Sequence, residues 1–269
     1  MLRFSWQRVT GLLRFGWKLL VSALIDTLYK DIQGLVIGKK YDSATLGFYN
    51  KGKQFPSLIM SAVNGAVQSV MLPVMSKQQD SKDQVRAITR RAISMSSYVM
   101  FPLMAGLAAI AAPLIELLLT EKWLPAAPYL QIYCFSYAFW PVHTSNLQAI
   151  NAMGRSDLYL KLEIIKKSYG LIALIIAVAF FDSPIAIAAT GIVTAFLGLI
   201  VNSWPNKKLL DYPLLDQVKD ILPSLLLSLF MFGAVIALGQ LLPLAPIVEI
   251  PILVVAGAAL YIVTSLVFR

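Results

Sequence analysis

The chain is a succession of long apolar runs broken by short polar punctuation, and this limits what it can fold into. A helix needs about 20 mostly apolar residues to cross the hydrocarbon of a bilayer. Runs of that order are predicted at 12–37, 45–75, 92–119, 126–152, 160–180, 184–204, 221–241 and 248–268. Turn-forming clusters separate them, among them Lys39-Lys40-Tyr41-Asp42, Gly154-Arg155-Ser156-Asp157 and Asp182-Ser183-Pro184. Two longer polar connectors, 76–91 and 205–220, interrupt the pattern. Only 14% of residues are charged and 58% are hydrophobic, whereas a soluble domain carries about 25% charged residues. An ordinary soluble enzyme, a disordered chain and a disulfide scaffold are thereby excluded. The expected fold is an all-α integral membrane protein of about eight transmembrane helices.

The net charge of +9 would suggest an acidic partner on a soluble protein, but here the basic residues cluster between apolar runs, so topology explains them and no nucleic-acid partner is expected. Threading the eight spans puts Arg3, Arg8, Arg14, Lys18, Lys77, Lys82, Arg86, Arg90, Arg91, Arg155, Lys161, Lys166, Lys167, Lys207, Lys208, Lys219 and Arg269 at or near one side. Lys39, Lys40, Lys51, Lys53 and Lys122 fall toward the other. By the excess of positive charge on cytoplasmic loops, both termini are expected in the cytoplasm. Arg14 and Lys18 would interrupt the apolar core of a signal peptide, and no small-residue cleavage site follows. Residues 1–18 are instead expected to form an amphipathic interface helix anchored by Trp6 and Trp17.

At about 100° per residue, Arg14, Lys18, Ser22, Asp26, Tyr29, Lys30 and Gln33 share one arc of the first span, opposite Leu13, Leu20, Leu24 and Leu28. Asp31 is the exception. A charge left facing hydrocarbon costs about 2.5–3.5 kcal/mol even on lenient insertion scales. The arc must therefore face a water-filled cavity or pair internally. Asp26 and Lys30, four residues apart, would suit a structural ion pair, but such a pair leaves the rest of the arc unexplained.

The second span repeats the pattern in neutral form: Asn50, Gln54, Ser57, Ser61, Asn64 and Gln68 recur at spacings of three and four. Amides and hydroxyls both donate and accept hydrogen bonds, which suits sugar hydroxyls. Small polar residues also join membrane helices, and both readings stand at this stage. The fourth span carries Tyr133, Tyr137, Trp140, His143, Thr144, Asn146, Gln148 and Asn151. Aromatics beside amides can stack on sugar rings, and Pro141 can bend the helix there. The lone His143 is more simply a hydrogen-bonded core residue than a proton relay; Cys134 is a small buried apolar residue. Lys161, Glu163, Lys166 and Lys167 open the fifth span. They suit either the cytoplasmic headgroups or a flexible phosphate clamp at a cavity mouth.

No catalytic constellation emerges: the carboxylates are scattered, and there is no P-loop, no nucleophile elbow and no set of metal ligands. No enzyme activity, cofactor or metal is expected.

The ordered set Leu46-Gly47-Phe48-Tyr49-Asn50-Lys51-Gly52, Met71-Leu72-Pro73, Phe101-Pro102, Leu117-Leu118-Leu119 through Trp123, Gly154-Arg155-Ser156-Asp157 and Leu160-Lys161-Leu162-Glu163-Ile164-Ile165-Lys166-Lys167 resembles the polysaccharide flippases of the multidrug/oligosaccharidyl-lipid/polysaccharide exporter superfamily. The likeness is to the O-antigen and colanic acid (Wzx-type) branch and covers nearly the whole chain. It implies one lobe of a two-lobe exporter plus two extra C-terminal helices: 1–18 as the inter-lobe linker, 19–204 as the C-terminal six-helix lobe, and 205–269 as a cytoplasmic connector with two further helices. It also implies a bacterial cytoplasmic (inner) membrane location. The function implied is the flipping of undecaprenyl-pyrophosphate-linked oligosaccharide repeat units by alternating access. The partners would be that lipid-linked oligosaccharide, membrane lipids, a missing N-terminal lobe and polysaccharide polymerase machinery.

For such a headgroup the periodicity argument offers Arg14, Lys18 and Lys30 for charge and Gln54, Ser57, Ser61, Asn64 and Gln68 for the sugar. Asp26 is the coupling candidate, with Lys161, Glu163, Lys166 and Lys167 at the cytoplasmic mouth. The alternatives are an exporter of another lipid-linked precursor, a drug or cation exporter (which would want an acidic cavity), and a half-length remnant that does not transport.

Overall fold

The computed structural model describes residues 6–78, 81–242 and 244–267, with the side chains of residues 6–15, Lys30 and Leu72 excepted. All described secondary structure is helical. The order is α1 (Trp6–Lys30), α2 (Ile32–Lys40), α3 (Ser43–Lys77), α4 (Lys82–Ala109), α5 (Ala111–Leu119), a 3₁₀ turn (Glu121–Ala126), α6 (Ala127–Ala138), α7 (Trp140–Ala152), α8 (Ser156–Phe180), α9 (Pro184–Leu209), α10 (Leu214–Leu241) and α11 (Pro246–Val267).

Among the described residues five helices, α3, α4, α9, α10 and α11, are long and apolar enough to cross a membrane. The eight expected spans all fall on helix, but three are broken. The first bends at Asp31, the third at Ile110 and the fourth at Phe139. Pro113 and Pro141 follow the last two breaks within three residues, where a proline ring opposes continuation of the helix. Pieces of 12 and 13 residues, α6 and α7, are too short to span alone. No break falls at residue 18: α1 runs unbroken through the junction expected between linker and lobe.

The exterior is apolar. Leu24 and Leu28 of α1, Ile172 and Ile175 of α8, Phe196 and Ile200 of α9 and Val255 and Ile262 of α11 are all exposed. On a soluble protein such a surface would aggregate; in lipid it is the face that the solvent demands. The interior is packed by close approaches. At Gly52 the backbone of α3 meets that of α6, where an added Cβ would lie 2.6 Å from the Ala126 carbonyl oxygen and 2.8 Å from the Leu130 nitrogen. Around it, Tyr49 packs edge-on to Tyr129 and Tyr133, and Phe48 edge-on to Trp123. The run 46–52 is thus the docking strip of α3 on the 3₁₀ turn and α6.

The helix ends are tied in two groups. Lys82 pairs with Asp211 and Arg90 with Asp220, joining the two long connectors. Lys40 and Tyr41 both reach Asp182, joining the loops that close α2 and open α9. These contacts agree with the threading in which 76–91 and 205–220 share a side. Gly154, at φ +70°, caps α7 in the left-handed region that glycine enters without a Cβ penalty. Arg155 N–H then closes back on the Ile150 carbonyl, and the Arg155 guanidinium clasps both oxygens of Asp157.

Candidate functional site

A cavity of about 950 Å³ lies between α1, α2, α3, α6, α7, α8 and α9. Its charged wall comes from α1 and α8. Lys167 Nζ lies 2.5 Å from Asp26 Oδ1 and 4.0 Å from Glu163 Oε2, and Lys166 Nζ lies 2.5 Å from Glu163 Oε1. Glu163 is buried, its side chain only 7% exposed, and two ammonium groups compensate it. Lys167 also sits 4.7 Å from the Tyr29 ring centroid, a cation–π distance. Two helices of α-helical pitch account for the cluster: Asp26 and Tyr29 are three apart on α1, and Glu163, Lys166 and Lys167 share one face of α8.

At the cavity end nearer the α2–α3 turn a neutral network closes around Gln33. Its amide nitrogen donates to Thr190 Oγ1 at 2.8 Å, and its oxygen accepts from the Tyr133 hydroxyl at 3.0 Å and the Tyr49 hydroxyl at 3.4 Å. The two hydroxyls share a hydrogen bond of 2.6 Å. Lys53 stands over both tyrosine rings and 3.6 Å from Asp31. Asp31, the exception in the arc of the first span, thus has a cationic partner on α3, although its side chain is 77% exposed.

Along α6 and α7 the wall is aromatic: Tyr133, Tyr137, Trp140 and His143 follow one another at ring-centroid separations of 5.2, 5.7 and 6.4 Å. His143 Nδ1 lies 3.1 Å from the Asn202 amide nitrogen, the hydrogen-bonded placement of the simpler reading. Cys134 is buried in the core. Asn146 turns away from the cavity into a buried amide cluster with Asn206 and Gln217.

Of the residues expected from the sequence, Asp26, Ser61, Asn64, Gln68, Glu163, Lys166 and Lys167 line this cavity. The neutral stripe of α3 divides. Asn64 accepts from Thr144 at 2.5 Å and so serves helix packing, while Ser61 and Gln68 are exposed on the cavity wall. Gln54 and Ser57 are engaged locally: Gln54 accepts from Lys51 and Ser57 donates to the Gln54 carbonyl. Lys161 is exposed outside the cavity lining, and Lys18 is half-buried beside it, its carbonyl accepting from Ser22. The side chains of Arg14 and Lys30 lie outside the described residues. The Asp26–Lys30 pair weighed from the sequence lies outside the described residues on the Lys30 side; Asp26 itself meets Lys167.

Sequence reasoning passed over α9. Gly191, Thr194, Ala195, Gly198 and Asn202 line the cavity at spacings of three and four, a stripe of mostly small residues along α9. That spacing was the available signal. Among the described residues no group of three or more His, Cys, Asp or Glu side chains is placed to hold a metal ion.

An apolar exterior around a charged and hydrogen-bonding interior marks an all-helical membrane protein, and comparison with solved structures finds the same fold. The whole chain superposes on 56% of the lipid II flippase MurJ in an inward closed conformation, with a TM-score of 0.75 and 17% identity. Residues 1–128 match the family described as "Polysaccharide biosynthesis protein". Over 144 residues, 54% of the chain, it is 28% identical to the teichuronic acid biosynthesis protein TuaB of Bacillus subtilis. Over 175 residues, 65% of the chain, it is 25% identical to the lipopolysaccharide biosynthesis protein WzxC of Escherichia coli. The resemblance to polysaccharide exporters thus holds in sequence and in fold. The aligned parts span 30% of TuaB and 36% of WzxC, so the chain matches about a third of the length of each.

Proposed function

We propose that this chain is a lobe of a flippase that moves undecaprenyl-pyrophosphate-linked oligosaccharide repeat units across a bacterial inner membrane for surface polysaccharide synthesis. The observation that carries the reading is the cavity: ionised and hydrogen-bonding side chains line a space inside a bundle whose outer face is apolar. A lipid-linked saccharide has the same two-part chemistry, with a polar headgroup for the cavity and a prenyl tail for the lipid.

In this reading Lys167 receives the pyrophosphate by exchanging Asp26 for phosphate oxygens, while Lys166 stays beside the buried Glu163 and adds its charge. Ammonium groups suit that exchange because they bind as mobile point charges. Ser61 and Gln68 serve the sugar, and Asp26, once released from Lys167, is free to take up a proton or cation as the coupling group. Residues 1–18 act as the linker and 205–269 as connector plus accessory helices, with both termini cytoplasmic. A second lobe completes the cleft, and rocking of the lobes gives alternating access. Polysaccharide polymerase machinery would receive the delivered repeat unit. An exporter of cationic drugs is disfavoured by the pairing of both cavity carboxylates with lysines.

The test is translocation in vesicles that hold this chain together with the first lobe of a two-lobe relative and carry a lipid-pyrophosphate-linked oligosaccharide, read as headgroup becoming accessible to an external glycosidase. Accessibility faster than in protein-free vesicles, and slowed by the double variant Lys166→Gln/Lys167→Gln, supports the reading. A rate equal to that of protein-free vesicles overturns it for this chain.

A further inference from the structure

The break between α6 and α7 does more than bend a helix. Phe139 turns into the core, 5.3 Å from Phe101 and 5.1 Å from Phe196 by ring centroids. The next residue, Trp140, emerges on the cavity side, lines the space and is 38% exposed. Its neighbours Tyr137 and His143 stand at 80° and 88° to it. Neither is stacked parallel on the indole.

Two turns on along the same face of α7 is Gln148, with Asn151 beyond it, and Asn202 faces them from α9; all three line the cavity. Among the described residues none donates a hydrogen bond to the buried amide oxygen of any of the three. Such an acceptor ordinarily finds a partner. Rotation about the terminal amide torsion, which is broad and soft, would turn each amide toward a bound hydroxyl.

From this arrangement we infer that Trp140, with Gln148, Asn151 and Asn202, forms a subsite for a neutral pyranose ring. A pyranose presents an apolar C–H face, which an indole covers, and a rim of hydroxyls, which amides satisfy. The inference rests on the lipid-linked saccharide reading and deepens it: phosphate goes to the lysines of α8 and the sugar to the α6–α7 break.

The experiment is calorimetric titration of the full chain in a detergent without sugar headgroups. The probes are chitotriose and maltotriose, with inorganic pyrophosphate and the planar cation ethidium as separate arms. At least one trisaccharide should bind the wild type, weaken about tenfold in Trp140→Ala and recover to within about twofold in the conservative Trp140→Tyr. Gln148→Leu should weaken it as well, and pyrophosphate affinity should be the same in all variants. Unchanged thermal unfolding midpoints establish that the variants fold.

Trisaccharide binding that Trp140→Ala leaves unaltered overturns the subsite, as does a wild type that binds pyrophosphate but neither sugar. The saccharide-carrier reading loses only its sugar contact in that case. Ethidium bound at Trp140 in place of either sugar overturns the subsite in favour of a cation site. Binding of none of the probes overturns both the subsite and the headgroup reading.

Discussion

Lys167 of α8 holds Asp26 of α1 at 2.5 Å across the charged wall of the cavity, while Glu163 stands 4.0 Å away on its other side. The lysine is thus shared between an exposed carboxylate and a buried one. An incoming anion must displace one of them, and Asp26, with its side chain 56% exposed against 7% for Glu163, is the one that water can take over. The same contact ties α1 to α8, so displacing it removes one link between the two helices.

Asp26→Asn therefore frees Lys167 without removing the cation. Affinity for inorganic pyrophosphate should rise about two- to fivefold, the scale of a partly exposed ion pair, and Lys167→Gln should lower it. Titration of both variants beside the wild type checks the pair. If Asp26→Asn weakens anion binding, the contact organises the site instead of competing for it.

The division of the α3 stripe gives an accessibility pattern. Cysteines placed at Ser61 and Gln68 should react with a membrane-impermeant thiol reagent, because both positions line the cavity. Cysteines at Val70 and Val74, exposed but on the side of α3 opposite Ser61 and absent from the cavity lining, should stay protected by lipid. The native Cys134 is buried and supplies little background. Mass-spectrometric counting of labelled thiols in intact vesicles reads the pattern, and equal labelling at all four positions would remove the case for an aqueous cavity.

Most of the helical layout was legible in the sequence because hydropathy and proline positions are local signals. Of the charged arc of the first span, Asp26 lines the cavity, as the cost of a lipid-facing charge requires whatever the partner. What could not be read was the partner. Asp26 meets Lys167, 141 residues on in sequence, because α1 lies against α8. Asn64 and Gln68 look alike in the stripe, yet among the described residues only Asn64 meets a hydroxyl, that of Thr144. The contribution of α9 was missed because glycines and alanines carry no chemistry until a neighbouring helix brings His143 against Gly198.

Gly52 tests the docking strip. Alanine there would place its Cβ within 3 Å of backbone atoms of α6, and backbone cannot swing aside as a side chain does. Membrane helices that cross this closely depend on the missing side chain, and overpacking costs about 1–3 kcal/mol. Gly52→Ala should lower the thermal midpoint in detergent by several degrees. Gly65, where an added Cβ meets nothing within 4 Å, should accept alanine with no loss, and a small gain from helix propensity is expected there.

The clasp after α7 gives a pH dependence of known sign. The Asp157 carboxyl is held down at about 2, first by its hydrogen bond with Arg155, against about 3.9 for a free aspartate. Between those values the unfolded chain binds the proton and the folded chain does not, so stability rises with pH across that window. The contribution is complete above about pH 5 and lost as pH falls toward 2. Both side chains are nearly half exposed, so solvent screening holds it below about 1 kcal/mol. Asp157→Asn should therefore lower the unfolding midpoint slightly at pH 6, and the gap to the wild type should close as the buffer is taken from pH 4 to pH 2. A gap that persists at pH 2 would mean that the asparagine disturbs the α7–α8 turn itself, which the Gly154 cap, with its own hydrogen bonds to α7, is expected to hold without the ion pair.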